Sequence, residues 1–125
     1  FRFKSTDLVV VTDIQLTVRV LANLCFNAAK YAGGGGPIEI EAHACQNGKI
    51  QLTVRDHGPG IPTKEHERIF ERFYQLNYDE RRDTPSSGLG LAFCKKSIEA
   101  QGGKITAQNH PEKGAIFSFW LSQAS

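Results

Sequence analysis

Apolar residues recur every three to four positions from Ile14 to Ala32, then at every second position from Ile38 onward. The chain therefore passes from a helical to an extended period near Pro37. Leu8 to Val11 forms a short apolar run ahead of the helix. Thr12 and Gln15 have the spacing of a capping box, in which the two residues satisfy free backbone donors at a helix start. The spacing predicts a helix from about Asp13 to Ala32. Gly33-Gly34-Gly35-Gly36-Pro37 cannot continue it.

Ile38, Ile40, Ala42 and Ala44 alternate with Glu39, Glu41 and His43, which predicts a strand. Asn47-Gly48 is a hairpin turn signal, and Ile50, Leu52 and Val54 alternate through the return strand. Asp56 to Pro62 is a loop. Thr63 is placed to cap a short helix carrying Ile69, Phe70, Phe73 and Tyr74. Gln75 to Ser87 is polar and without period, as expected of a mobile loop. Gly88 to Gln101 predicts a helix stopped by Gly102-Gly103. Lys104 to Asn109 and Ala115 to Ser122 predict a closing hairpin. The order β-α-β-β-α-α-β-β gives an α+β fold whose simplest form is two layers, with the helices on one face of the sheet.

The 125 residues suit one domain with one core. The net charge of +2 is too small to mark a nucleic-acid or membrane surface. No apolar stretch approaches the length of a membrane span or a signal peptide. Cys25, Cys45 and Cys94 form no CxxC pair, so they read as small apolar fillers in a reduced compartment.

Four groups of residues call for chemistry. At 100° per residue, Ile14, Val18, Leu21, Cys25 and Ala28 form one stripe, while Asn23, Asn27 and Lys30 fall within about 60° of each other on the opposite side. Two amide oxygens can ligate a hard cation and a lysine can hold a phosphate. The wet face of an amphipathic helix accounts for the same pattern, although Leu16 and Val20 nearby suggest that it lines a groove. Asp56 keeps the parity of Ile50, Leu52 and Val54, so its carboxylate is directed inward beside Gly58-Pro59-Gly60. There it can accept from an exocyclic amine such as that of adenine, or cap its own turn. Gly88-Leu89-Gly90-Leu91 opens a helix, where free N–H groups and the dipole favour an anion. Arg72, Arg81 and Arg82 flank or lie in the preceding loop, either closing over phosphates or serving as solvated charge.

The order of these pieces resembles the ATP-binding catalytic domain of sensor histidine kinases. Residues 23–31 (NLCFNAAKY) are similar to its N box. Residues 56–62 (DHGPGIP) resemble the first glycine box, 69–74 (IFERFY) the F box, and 88–92 (GLGLA) the second glycine box. The resemblance spans essentially the whole chain. It implies the Bergerat-type ATP fold shared with gyrase, MutL and the heat-shock chaperone ATPases, with a mixed, mostly antiparallel five-stranded sheet packed on helices. It further implies that Asn27 ligates Mg²⁺, that Asn23 assists at the metal and phosphates, that Lys30 contacts phosphate, and that Tyr31 lies near the nucleotide. Asp56 would bind the adenine amine, with Gly58, Gly60 and Ile61 beside the base. Ser87, Gly88, Leu89, Gly90 and Leu91 would border the phosphates, and Arg72 would approach the γ-phosphate. His57 stands where the family often has Asn or another small polar residue, and is expected to point outward and do little.

The resembling ATPases carry a water-activating glutamate four residues before the metal-binding asparagine. Here that place is Asn23, which cannot act as a carboxylate base. Positioning and charge neutralisation supply most of the catalysis in phosphoryl transfer. The implied activity is thus transfer from Mg-ATP to a histidine on a dimerisation domain of the parent protein, with a response regulator downstream and a cytoplasmic setting. His43, His57, His66 and His110 lie on a strand, in loops or near a short helix start, so the acceptor domain is expected to be absent from residues 1–125. Two other readings stand beside this one: a nucleotide-binding regulatory module without kinase activity, and a serine kinase of the anti-sigma type.

Overall fold

The structure is a computed structural model that describes residues 2–3, 10–11, 14–32, 36–71 and 90–123. Strands β1 (Arg2–Phe3) and β2 (Val10–Val11) precede helix α1 (Ile14–Ala32). Strands β3 (Glu39–Ala44) and β4 (Lys49–Arg55) follow, then helix α2 (Gly90–Ala100) and strands β5 (Lys104–Asn109) and β6 (Ala115–Gln123). The sheet order is β1-β3-β4-β6, with β5 and β2 both bonded to the far side of β6. Only the β1–β3 pair is parallel. The α+β class and the mixed, mostly antiparallel sheet stand as expected. Among the described residues six strands pair where five were expected. β1 spans only two residues, too few to display an extended period.

Turn chemistry fixes the register. Cys45 N–H donates to the Lys49 carbonyl (2.8 Å), so Gln46–Gly48 form a three-residue connection in which Asn47 (φ 69°) and Gly48 (φ 67°) both take positive φ. The C-terminus of α2 closes with Gly103 N–H donating to the Ile98 carbonyl (2.9 Å) and Gly102 N–H to the Glu99 carbonyl (3.0 Å). This is a Schellman cap. The expected short helix after Thr63 is instead two 3-10 turns, Thr63–Glu65 and Arg68–Phe70, and Thr63 does not cap the first, whose N-cap is Pro62. The His66 ring bonds back to the Ile61 carbonyl (2.8 Å), which holds the chain in a tight reversal there. Phe73, Tyr74 and the polar loop 75–87 lie outside the described residues.

The core lies between the helices and one face of the sheet. Phe117, Phe119 and Leu121 of β6 meet Val20 and Leu24 of α1 and Cys94 and Ile98 of α2. Phe70 packs edge-on to Phe117 with ring centroids 6.2 Å apart. The buried side of α1 is rotated from the expected stripe. Thr17, Val20, Leu24, Asn27 and Ala28 are buried, whereas Val18 is 59% exposed. Leu21 and Cys25 are only half-buried. The cause is a second packing partner: Cys94 of α2 contacts the Val20 carbonyl at 3.7 Å, so α1 is covered on a flank as well as on its sheet side. A hydrophobic period alone locates one buried face, and a second helix widens it toward the amides.

Candidate functional site

Of the two asparagines of α1, Asn23 is half-buried and Asn27 lies off the wet face. Asn27 is buried at 8% exposure, and its Nδ2 donates to the Asn23 backbone carbonyl one turn earlier (3.0 Å). That bond uses one of the two amide N–H groups and holds the carboxamide against the helix. Across from it stands the first residue of α2. A Cβ built on Gly90 would lie 3.4 Å from Asn23 Oδ1 and 3.8 Å from Asn27 Nδ2. The fold thus joins two motifs far apart in sequence, with carboxamides on one side and the free N–H groups and positive dipole end of an 11-residue helix on the other. Hard oxygen donors beside an anion-attracting helix start suit a cation–phosphate pair. Leu91 follows in α2 and is partly buried against the core.

Asp56 directly follows β4 and is buried, 4% exposed. Its Oδ1 accepts from the Gly58 N–H (2.9 Å) and the Ala115 N–H (3.1 Å), and its own N–H donates to the Ala115 carbonyl (3.0 Å). Both side-chain bonds fall on Oδ1, so the turn-capping role is real and leaves Oδ2 for a second partner. Two backbone donors stabilise the carboxylate without a cation. Gly114 makes this arrangement possible. It has φ +92°, and a Cβ there would sit 1.9 Å from the Asp56 carbonyl oxygen.

The loop that follows is pinned at its far end by a residue that sequence reasoning missed. Asn109, the last residue of β5, accepts from the Ile61 N–H through Oδ1 and donates to the Ile61 carbonyl through Nδ2, both at 2.8 Å. Gly58 is buried, Gly60 turns the loop at φ +83°, and Ile61 is buried. The only signal for Asn109 in the sequence was a polar residue ending a strand. His57 also departs from expectation. Its Nδ1 lies 2.7 Å from the Pro37 carbonyl and its Nε2 lies 3.2 Å from Glu39 Oε1, so it faces the turn after α1 and not open solvent.

Lys30 and Tyr31 lie in the last turns of α1, and their side chains are not among those described. Arg72, Arg81, Arg82, Ser87, Gly88 and Leu89 lie outside the described residues altogether. Among the described residues, Asn23 and Asn27 lie against Gly90, and Asp56 lies with its glycine loop.

A family profile described as "Histidine kinase-, DNA gyrase B-, and HSP90-like ATPase" matches residues 12–125. Sensor protein KdpD of Escherichia coli (strain K12) is 44% identical over 111 residues, which cover 89% of this chain and 12% of that protein. The mycobacterial sensor histidine kinase MprB superposes with a TM-score of 0.83 at 30% identity, covering 98% of this chain and 80% of that chain. Full-length ShkA, solved in complex with AMPPNP, superposes with a TM-score of 0.82 at 30% identity, covering 99% of this chain and 25% of that chain. A match that takes in the asparagine helix and both glycine loops at once settles the family: the chain belongs to the histidine kinase-, DNA gyrase B- and HSP90-like ATPases, as an ATP-binding catalytic domain of the histidine kinase kind.

Proposed function

We propose that residues 1–125 form one catalytic unit that holds Mg-ATP and presents its γ-phosphoryl group to a histidine on a separate dimerisation domain, from which a response regulator is then phosphorylated. The observation that carries this reading is the approach of Gly90 to the amides of Asn23 and Asn27. It puts the Asn23 amide oxygen, the Asn27 carboxamide and a helix N-terminus together, which fits a triphosphate with its metal. The binding of AMPPNP by the similar protein ShkA supports ATP as the nucleotide.

Each described residue has a distinct task in this reading. Asn27 Oδ1, with Asn23 beside it, holds Mg²⁺. A bound Mg²⁺ neutralises phosphate charge and orients the terminal phosphoryl group. The N-terminus of α2 receives phosphate oxygens through its backbone N–H groups. Asp56 Oδ2 accepts from the adenine amine, and the loop through Gly58 and Gly60 lies along the base. Lys30, Tyr31, Arg72, Ser87, Gly88 and Leu89 complete the nucleotide contacts. Asn23, four residues before Asn27, is an amide that cannot act as a carboxylate base, so the site is suited to an external nucleophile in preference to water. The setting is cytoplasmic, where ATP is available. Among the described residues no helix is long and apolar enough to cross a membrane.

The test is a calorimetric titration with ATP in the presence and absence of Mg²⁺. Saturable, metal-dependent binding is expected, and its absence with folded protein would remove the proposal.

A further inference from the structure

The two ends of the loop from Asp56 to Ile61 are held by one rung of the β5–β6 hairpin. Asn109 and Ala115 face each other there in register. Asp56 N–H donates to the Ala115 carbonyl (3.0 Å), and Asp56 Oδ1 accepts from the Ala115 N–H (3.1 Å). Opposite Ala115, the Asn109 amide takes both backbone groups of Ile61. It accepts the N–H through Oδ1 and donates to the carbonyl through Nδ2, each at 2.8 Å. The hairpin closes just beyond, where His110 N–H donates to the Gly114 carbonyl (2.9 Å). These bonds close a ring, Asp56–Ala115–Asn109–Ile61, around the glycine loop.

The two holds differ in kind. At Asp56 the hairpin offers backbone groups, which almost any residue supplies. At Ile61 it offers one side chain, whose carboxamide presents an acceptor and a donor in one plane, as a neighbouring strand would. The Ile61 carbonyl has a second partner in His66 Nε2 (2.8 Å), whereas its N–H is met by Asn109 Oδ1. Asn109 also lies close against the loop backbone. A Cβ on Gly60, which turns at φ +83°, would lie 2.7 Å from Asn109 Oδ1. We infer that Asn109 is a positioning residue for nucleotide binding: by holding Ile61 on the rung that also holds Asp56, it presets the loop against which the adenine lies. The inference rests on the reading that Asp56 and its loop take the base. A loop fixed at both ends is preorganised for a flat ligand. One fixed at Asp56 alone must be ordered again by the ligand, at a cost in affinity.

The test separates the base end from the phosphate end. Calorimetry measures affinity for Mg-ATP and for inorganic Mg-tripolyphosphate with wild type, Asn109→Leu, Asn109→Asp and Asp56→Asn, alongside the urea midpoint of each. Tripolyphosphate has no base and meets the phosphate end alone. Asn109→Leu keeps the size of the side chain and removes both polar atoms. It is expected to weaken Mg-ATP about fivefold, the scale of one hydrogen bond's net contribution, and to leave Mg-tripolyphosphate unchanged. Asn109→Asp keeps an acceptor for the Ile61 N–H but turns a second oxygen toward the Ile61 carbonyl, so its loss should fall between. A merely structural role would lower the urea midpoint and move both ligands alike.

Unchanged Mg-ATP affinity in Asn109→Leu, or equal losses for the two ligands, overturns the inference. A loss confined to Mg-ATP in Asp56→Asn then shows that the base reading survives. If Asp56→Asn leaves Mg-ATP unchanged, the base reading fails and takes the inference with it. If Asn109→Leu does not fold, Asn109→Asp is compared with wild type, and equal ratios of the two affinities overturn the inference.

Discussion

The amide nitrogen of Asn27 donates to the backbone carbonyl of Asn23, one helical turn earlier, at 3.0 Å. The bond holds a buried carboxamide against its own helix beside Gly90, and a metal there would be met by its Oδ1. Asn27→Ala should therefore lower affinity for Mg-ATP by about 10–100-fold, the usual cost of disturbing a metal site. Binding of metal-free ATP should change little. The check is calorimetry at fixed nucleotide with Mg²⁺ varied, and an unchanged metal dependence would remove Asn27 as the ligand.

Asp56→Asn is the informative change at the other end of the site. Asparagine can still accept from Gly58 and Ala115 through Oδ1, so the turn should persist. What it loses is the second carboxylate oxygen. The preference for ATP over GTP should fall by roughly 1–3 kcal/mol, the cost of an unmatched buried polar group. Competition between the two nucleotides reads this directly. Unchanged discrimination would show that another group reads the base.

Asp56 was legible in the sequence because strand parity is strict: a residue in step with Ile50 and Val54 must face the same way. The Asn47-Gly48 turn and the Gly102-Gly103 stop were legible because few residues tolerate their dihedrals. The burial of Asn27 was not legible, because it depends on where α2 docks, and that contact joins residues far apart in sequence. Val18 was misplaced for the same reason. Asn109 escaped notice, and His57 was expected to point outward, because their partners include backbone carbonyls and amides, whose positions no side-chain pattern encodes.

Gly114 tests the close approach that shapes the base end. Alanine there would put a methyl on the Asp56 carbonyl and hold a side chain at φ +92°. The backbone conformation alone costs about 1–3 kcal/mol, and the overlap adds to it. Gly114→Ala should lower the urea midpoint and weaken nucleotide binding together. A variant of unchanged stability would mean that the β5–β6 turn does not press on Asp56.

Cys94 gives a pH signature. It is fully buried, and burial pushes its thiol from 9.0 up to about 12. The folded state keeps a proton that the unfolded state releases above pH 9. The resulting contribution to stability is complete below pH 9 and is lost as pH rises toward 12, at about 1 kcal/mol per pH unit. Stability curves at pH 8.5 and 10.5 check this prediction, and Cys94→Ala should show the shallower fall (those two values lie below and within the window). An equal slope in both proteins would contradict it.

The central claim is that this domain holds ATP for a histidine elsewhere. It is tested most directly by supplying the parent protein's own histidine-bearing domain, in trans and covalently joined, with labelled Mg-ATP. The account predicts label on that domain alone, lost in acid and stable in alkali, because a phosphoramidate hydrolyses once protonated. Asn27→Ala should abolish the label. Replacing the acceptor histidine should abolish it while leaving ATP bound, and joining the domains should raise the rate through effective concentration. An acceptor domain that stays unlabelled when joined and dimeric, with ATP bound, would contradict the account, as would label on serine of a partner protein.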